Sequence, residues 1–314
     1  MKFIVVGDLH LRTKNPVSRI DDFPETQYQK LKEVFAAAIS GGHHILCPGD
    51  VFDTPSPAYS LPTRYGELFR SLGKCKFVTT PGNHDIYGAN LNTLSRSCLG
   101  VLHAFRCVEL ATENPYQIYE KGTEKIAIFG TSYMAQEKPV PLPGAFNILL
   151  AHNMVLFDKI WKEQDEFEYA NEYLEKNKNW DLIVCGHYHY RFKYQYGTRM
   201  ICNPGALVRV KASKGDLALR PGYFVFDTKS REITLHELET ARPIGEVFTT
   251  KAKTGERNEV MDRIEEFVRE LSTEGGIGTG KLSEIVVKVI NESGCNERVG
   301  NLVRELVAEA EATV

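Results

Sequence analysis

Seven side chains able to bind a hard or borderline metal ion stand in five short clusters of this chain. Asp8 and His10 belong to Gly7-Asp8-Leu9-His10, Asp50 to Cys47-Pro48-Gly49-Asp50-Val51-Phe52-Asp53, and Asn83 to Gly82-Asn83-His84-Asp85. His152 follows Ile148 to Ala151, and His187 and His189 stand in Gly186-His187-Tyr188-His189. In both the Asp-x-His and the His-x-His pair, the spacing turns the two side chains to one side of an extended strand end. Carboxylate, amide and imidazole donors without a thiolate suit manganese, iron or zinc better than an all-oxygen calcium cage. Seven ligands are too many for one such ion and about right for two that share a carboxylate. Asp50 is the natural bridge. Two ions roughly 3.5–4 Å apart would lower the pKa of a bridging hydroxide and clamp the oxygens of an in-line displacement at phosphorus. The chemistry expected is phosphoester hydrolysis. His84 remains as the group to protonate the leaving oxygen or stabilise the crowded phosphate. Asp85 is expected to orient the His84 ring.

Each cluster follows a short apolar run, and in an open α/β sheet such strand ends converge on one edge. Lys2 to Val6 reads as a buried strand. A helical stripe of Leu31, Val34, Phe35, Ala38 and Ile39 follows within 26–39 and stops at Gly41-Gly42. The pattern repeats: Ile45 to Cys47, then Tyr65, Leu68, Phe69 and Leu72 on one helical face after Pro62, then Lys76 to Thr79. The first 85 residues therefore read as a right-handed β-α-β-α-β arrangement. Leu91 to Leu102 shows helical spacing as well, which core packing explains as well as dimerisation does. From Tyr116 onward the chain reads as short strands broken by turns, with a polar helical stretch near Glu166 to Lys176. The fold class expected is α/β, two packed mixed β-sheets flanked by helices. A boundary at Arg242-Pro243 separates a main domain, 1–240, from a small α+β domain, 241–314. In the latter a strand is expected over 247–251, a helix over 258–271, a strand over 284–290 and a helix over 296–310.

The 38 basic and 41 acidic residues leave no global attraction for nucleic acid, so any such function must rest on a local patch. The seven cysteines form no Cys-x-x-Cys pair and read as reduced thiols. No run approaches the roughly 18 apolar residues of a membrane span, and the expectation is a soluble cytoplasmic protein without a membrane partner. One basic stretch does occur, with Arg191, Lys193, Arg199, Arg209, Lys211, Lys214 and Arg220 against the single acid Asp216. It begins just after His189. Arg191, Lys193, Arg209, Lys211 and Lys214 are therefore expected to contact DNA phosphates. The aromatics between them, Tyr188, Tyr190, Phe192, Tyr194 and Tyr196, either stack on bases or pack into the core. Gly275 to Lys281 has the spacing of a phosphate loop, but Leu282 replaces the required Ser or Thr and the loop joins a helix to a strand. No ATP site is expected there.

The ordered set of motifs resembles the calcineurin-like metallophosphoesterase superfamily over roughly residues 1–240. Within it, Gly49-Asp50-Val51-Phe52-Asp53-Thr54-Pro55-Ser56-Pro57 is similar to the SbcD branch of DNA double-strand-break repair nucleases. The resemblance implies Asp8, His10, Asp50 and His189 on one manganese ion, and Asp50, Asn83, His152 and His187 on a second, with His84 catalytic. Magnesium, iron or zinc are the alternative metals. It also implies DNA as substrate, a C-terminal domain capping the DNA-binding face, a dimer, and an SbcC-type coiled-coil ATPase partner. Family members carry a helical docking segment for that ATPase, with no obvious equivalent in the sequence up to Val314. A histidine linked to exonuclease action in the archaeal and eukaryotic branch is replaced here by Asp53. The competing expectations are a phosphatase or phosphodiesterase acting on a protein or small molecule, and a non-catalytic scaffold with the same fold.

Overall fold

The computed structural model describes residues 1–114, 117–133, 135, 138–157, 167–212 and 217–248. The elements expected over 258–271, 284–290 and 296–310, the Gly275–Lys281 loop and Lys214 lie outside those residues. The chain opens with β1 (Lys2–Val5), α1 (Phe23–Gly41), β2 (His44–Cys47), α2 (Ser60–Arg70) and β3 (Phe77–Thr79). Helix α1 starts three residues before the expected 26 because Asp22 caps it, its carboxylate accepting from the Glu25 N–H at 3.1 Å. Gly42, at φ 62°, ends it in the left-handed conformation that glycine adopts without strain. The three strands pair in parallel, as the crossover reading requires.

After β3 the expected single helix over 91–102 is two pieces, a 3-10 turn at Leu91–Arg96 and α3 (Cys98–Ala104). Ser97 causes the break. Its backbone is extended and its hydroxyl accepts from the Gly100 N–H, a cap that starts a new helix. Leu99 and Leu102 are buried, whereas Leu91 and Val101 face outward. β4 (Glu109–Leu110), β5 (Gln117–Lys121), β6 (Glu124–Thr131), β7 (Phe146–Ala151), β8 (Val155–Leu156) and β9 (Glu168–Tyr169) follow. The polar helix, α4 (Ala170–Lys176), begins later than expected because Glu168 and Tyr169 pair with Val155 and Leu156 as strand. β10 (Leu182–Cys185), β11 (Phe192–Tyr196), β12 (Arg199–Asn203), β13 (Gly222–Asp227) and β14 (Glu232–Glu237) complete the strands.

Two six-stranded sheets result, ordered β14-β13-β1-β2-β3-β4 and β11-β12-β10-β7-β6-β5. Both are mixed: β1 to β4 of the first sheet and β6, β7, β10 and β12 of the second pair in parallel, while β13 and β14, and β5 and β11, add antiparallel strands. Phe3, Val5, Leu46 and Val78 of the first sheet meet Ile128, Ile148, Leu150 and Val184 of the second in a shared core. On the first sheet's other face, Ile4 and Ile45 pack against Leu31, Val34, Phe35 and Phe69 of α1 and α2. Phe129, Leu149 and Ile183 do the same beneath Tyr173, Leu174 and Trp180. Burial on both faces explains why these strands read as continuous apolar runs rather than alternating ones. The order is helices, sheet, sheet, helix, as the sequence led one to expect.

Residues 241–248 turn back onto this body. Val247, expected to open a strand, instead ends a one-turn helix, Ile244–Val247. Its carbonyl accepts from Ile20 N–H at 3.1 Å, Phe248 bridges Arg19, and both apolar side chains cluster with Ala212. Val247 and Phe248 thus pair with the loop before α1, and the rest of the strand expected over 247–251 lies outside the described residues. The shared core supplies the stability of this body. Ile148→Ala, in a site with no solvent contact, should lower unfolding free energy by about 2–5 kcal/mol. Denaturant titration would register this as a lower midpoint at unchanged slope, and a shift worth under about 1 kcal/mol would refute the packing described.

Candidate metal centre

The ends of β1, β2 and β3 meet the ends of β7, β10 and β12 along one rim. Gly7 bridges Ala206 in parallel, and the His187 N–H donates to Asp8 Oδ1 at 2.9 Å, so the two sheets are tied there. The backbone is strained where the donors sit. Asp8, His10, Asp50 and His187 have φ of 39°, 43°, 50° and 69°, in the left-handed region that side chains other than glycine rarely adopt. Such conformations cost about 1–3 kcal/mol each and persist only when the surroundings overdetermine them. Here hydrogen bonds do so: His10 and Leu11 donate N–H to the carbonyls of Asp50 and Val51 at 3.0 and 2.9 Å. Gly82 is required for the fit, since a Cβ there would lie 2.1 Å from Asp50 Oδ1 and 2.5 Å from the Asp50 nitrogen.

The seven predicted donors converge. Asp8, His10 and His189 form one group of ligand atoms, and Asp50, His152 and His187 a second. Asn83 Oδ1 completes the second group, 3.1 Å from both His152 Nε2 and His187 Nδ1. Asp50 Oδ2 lies 3.2 Å from His152 Nε2 and 3.6 Å from His10 Nε2, so one oxygen faces both groups. His10 Nε2 and His189 Nε2 are 3.1 Å apart. The His152 tautomer follows from its other nitrogen: Nδ1 lies 2.8 Å from the Pro48 carbonyl, to which only an N–H can donate. Its Nε2 then faces the Asp50 carboxylate and the Asn83 amide oxygen. Acceptors facing acceptors are unfavourable unless a proton or a cation lies between them.

The electrostatics agree with a cation site. Burial and the charge of Asp50 push the Asp8 carboxyl up to about 7, against the pull of His152. Burial alone would depress His152, but the Asp50 carboxylate overrides it and lifts the ring to about 9. Burial and His152 together push His187 down to about 3. Asp8 Oδ2 and His10 Nδ1 are buried without a hydrogen-bond partner. A divalent ion would supply the missing partner of Asp8 Oδ2 and displace the protons that the carboxylates otherwise attract. The residues present therefore fit two such ions.

His84 sits beside this set, its ring centroid 4.7 Å from that of His10 and its N–H donating to Asp50 Oδ1 at 3.0 Å. Its Nδ1 lies 2.9 Å from the Asp53 carbonyl oxygen. That carbonyl, not Asp85, orients the ring. The expectation for Asp85 is corrected: its carboxylate, fully buried, accepts from the N–H groups of Val51, Phe52 and Gly82 at 3.2, 2.9 and 3.0 Å. It points beneath the Asp50 turn because three backbone donors converge there, and so it holds Asp50 rather than His84. Sequence reasoning missed two further groups. Arg12 forms an ion pair with Asp53, whose Oδ1 is 3.8 Å from His10 Nδ1, and the Tyr133 ring lies 5.0 Å from that of His187. Only their nearness in sequence to Asp8-x-His10 and to the end of β6 could have signalled them.

The basic stretch is placed differently from the phosphate track expected of it. Arg191 donates to the carbonyls of Pro204 and Arg220, Lys193 to that of Ile233, and buried Arg209 to that of Arg242. Arg199 and Arg220 pair with Glu175 and Glu237. Lys211 is half-buried, and Lys214 lies outside the described residues. Tyr188, Tyr190, Phe192 and Tyr194 belong to the apolar cluster over the second sheet, leaving Tyr196 exposed. Their alternation is that of an ordinary hairpin with one face in the core.

A family model for calcineurin-like phosphoesterases matches residues 1–191. The chain belongs to the calcineurin-like phosphoesterases. Members of this family use divalent metal ions to hydrolyse phosphoesters, and this phosphoesterase brings its donor clusters together accordingly. No curated protein matches it significantly. Among solved structures, TT1561 of Thermus thermophilus is similar at 13% identity and TM-score 0.45, over 75% of this chain and 98% of that one. An archaeal phosphodiesterase is 15% identical at TM-score 0.39, over 76% of this chain and 100% of its own. A 5'-nucleotidase precursor, also from Thermus thermophilus, is 14% identical at TM-score 0.44, over 84% of this phosphoesterase and 59% of its own length. Among the described residues no helix is long and apolar enough to cross a membrane.

The tight approach at Gly82 gives a direct test. Gly82→Ala should fold yet displace Asp50, weakening manganese binding about 10–100-fold in calorimetric titration, the scale typical of lost support for a ligand. Wild-type affinity in that variant would mean that the Asp50 position is not what determines binding.

Proposed function

We propose that this phosphoesterase is a two-metal DNA nuclease that hydrolyses phosphodiesters at DNA ends or in single strands. The observation that carries the catalytic part is the placement of Asp50 Oδ2 between two donor groups, with His84 held beside them. Asp8, His10, His189 and Asp50 would hold one ion, and Asp50, Asn83, His152 and His187 the other. When bound, two such ions would lower the pKa of a water so that hydroxide is available near neutral pH, and would set positive charge against the phosphoryl oxygens. His84 then acts as a proton carrier. With Nδ1–H committed to the Asp53 carbonyl, Nε2 is the nitrogen left to give a proton to the leaving oxygen or to donate to a phosphate oxygen. Asp85 and Gly82 keep Asp50 in its strained turn, so the donor set is formed before substrate arrives.

Support for DNA comes from the Gly49 to Pro57 stretch and its similarity to SbcD-type nucleases. The same reading includes manganese as the native metal, a DNA-facing cap from 241–314, a second copy of the chain, and a coiled-coil ATPase partner. A second reading, hydrolysis of small phosphodiesters, gains weight from Arg191, Lys193 and Arg209, which spend donors on backbone carbonyls rather than presenting a phosphate track.

Manganese-dependent release of nucleotides from end-labelled single- and double-stranded DNA separates the two, with bis-p-nitrophenyl phosphate as a generic diester. Release from DNA should fall about 10²–10⁴-fold in His84→Ala while manganese content stays at wild-type level. Turnover of the small diester alone, with and without a coiled-coil ATPase, would replace the nuclease reading by the second.

A further inference from the structure

Gln27, in the second turn of α1, is 1% exposed although its side chain is a primary amide. Its Nε2 donates to the carbonyls of His10 at 2.7 Å and Leu9 at 3.1 Å, and its Oε1 accepts from the Arg12 N–H at 3.2 Å. This amide orientation is the one that satisfies all three contacts, because carbonyls need a donor and an N–H needs an acceptor. The segment it grips, residues 9–12, includes the strained His10 and directly follows the strained Asp8. The opposite side of that segment is held by the turn after β2: His10 and Leu11 donate to Asp50 and Val51, and the Leu11 carbonyl accepts from Asp53 N–H at 3.1 Å. Gln27 therefore completes the backbone pairing of residues 9–12 from the helix side.

We infer that Gln27 is a positioning residue for the metal centre, fixing the left-handed backbone that brings Asp8 and His10 into one donor group with His189. The inference rests on the metal-binding part of the proposed function and is independent of the substrate. Glutamine is specific to the task. A carboxylate at the same position would set negative charge against two carbonyl oxygens in a region that already contains Asp8, Asp50 and Asp53. An apolar side chain of equal length would take away the donor that the Leu9 and His10 carbonyls use and the acceptor that the Arg12 N–H uses. The helix itself is independently secured, by the Asp22 cap and by Thr26 Oγ1 donating to Asp21 Oδ2 at 2.7 Å, so losing the Gln27 amide frees the loop rather than the helix.

The test uses the full chain, stripped of metal and titrated with manganese chloride alone, followed by calorimetry and by electron paramagnetic resonance of the bound manganese. Gln27→Met removes all three bonds; Gln27→Glu retains an acceptor for Arg12 N–H; Gln29→Ala, at an exposed residue whose amide reaches only Glu25, is the control. In both Gln27 variants, one of two manganese equivalents should bind about 10–100-fold more weakly, with the spin-coupled pair signal lost at low metal while the control keeps it. Wild-type affinity and signal in either folded variant, even with a lowered melting temperature, would make Gln27 merely structural and overturn the inference. Failure of both to fold would overturn it in the same sense. A wild-type chain that binds no manganese would overturn the metal-centre reading itself.

Discussion

Asp8 and Asp50 are buried, mutually repelling carboxylates, and the rest of the site depends on what offsets that repulsion. Removing one such charge from water costs several kcal/mol, and a second nearby carboxylate adds to the cost unless positive charge is close. In the bare protein His152 partly plays that part, its ring lifted by Asp50 to about 9. His10 and His187 cannot join it, because burial holds both well below the ordinary histidine range. One protonated ring for two carboxylates, among imidazole and amide donors that carry no charge, leaves an arrangement that divalent ions complete. The architecture can thus be read as scaffolding for a poorly solvated charge cluster.

Two sheets meeting at their carboxyl edges are what make this scaffolding possible. One sheet alone would bring donors to a rim but leave the far side to water; the second supplies His152, His187 and His189 from opposite Asp8, Asp50 and Asn83. Hydrogen bonds across the join, from His187 N–H to Asp8 and from His152 Nδ1 to the Pro48 carbonyl, fix the spacing of the two halves. Strain is then stored where chemistry is expected, in the left-handed backbones of Asp8, His10, Asp50 and His187. The residues that hold it, Asp85 and Gln27, each use one side chain for three backbone contacts.

The convergence of the seven donor residues and the parallel start of the first sheet were legible because both follow from local pattern: apolar runs mark buried strands, and polar residues at their ends mark the rim. Direction of a side chain across the fold was not. Asp85 was expected to serve its neighbour His84, yet its carboxylate turns toward the N–H groups of a loop that only tertiary folding brings near. Lys193 reads as a free cation in sequence, and the carbonyl of Ile233 that it contacts belongs to a strand of the other sheet. Ser97 divides a periodic stretch because a local cap competes with continued helix. Gln27 has no sequence signature at all, since one glutamine among the polar positions of a helix looks like solvent-facing surface. Patterns of period reveal burial, whereas the partners of buried polar atoms emerge only from the folded chain.

The most direct test of the shared position of Asp50 is anomalous diffraction from manganese-soaked crystals of the full chain. Two peaks roughly 3.5–4 Å apart, with the Asp50 carboxylate contacting both, are the result expected of a two-metal site. A single peak, or two peaks of which Asp50 touches only one, would contradict it.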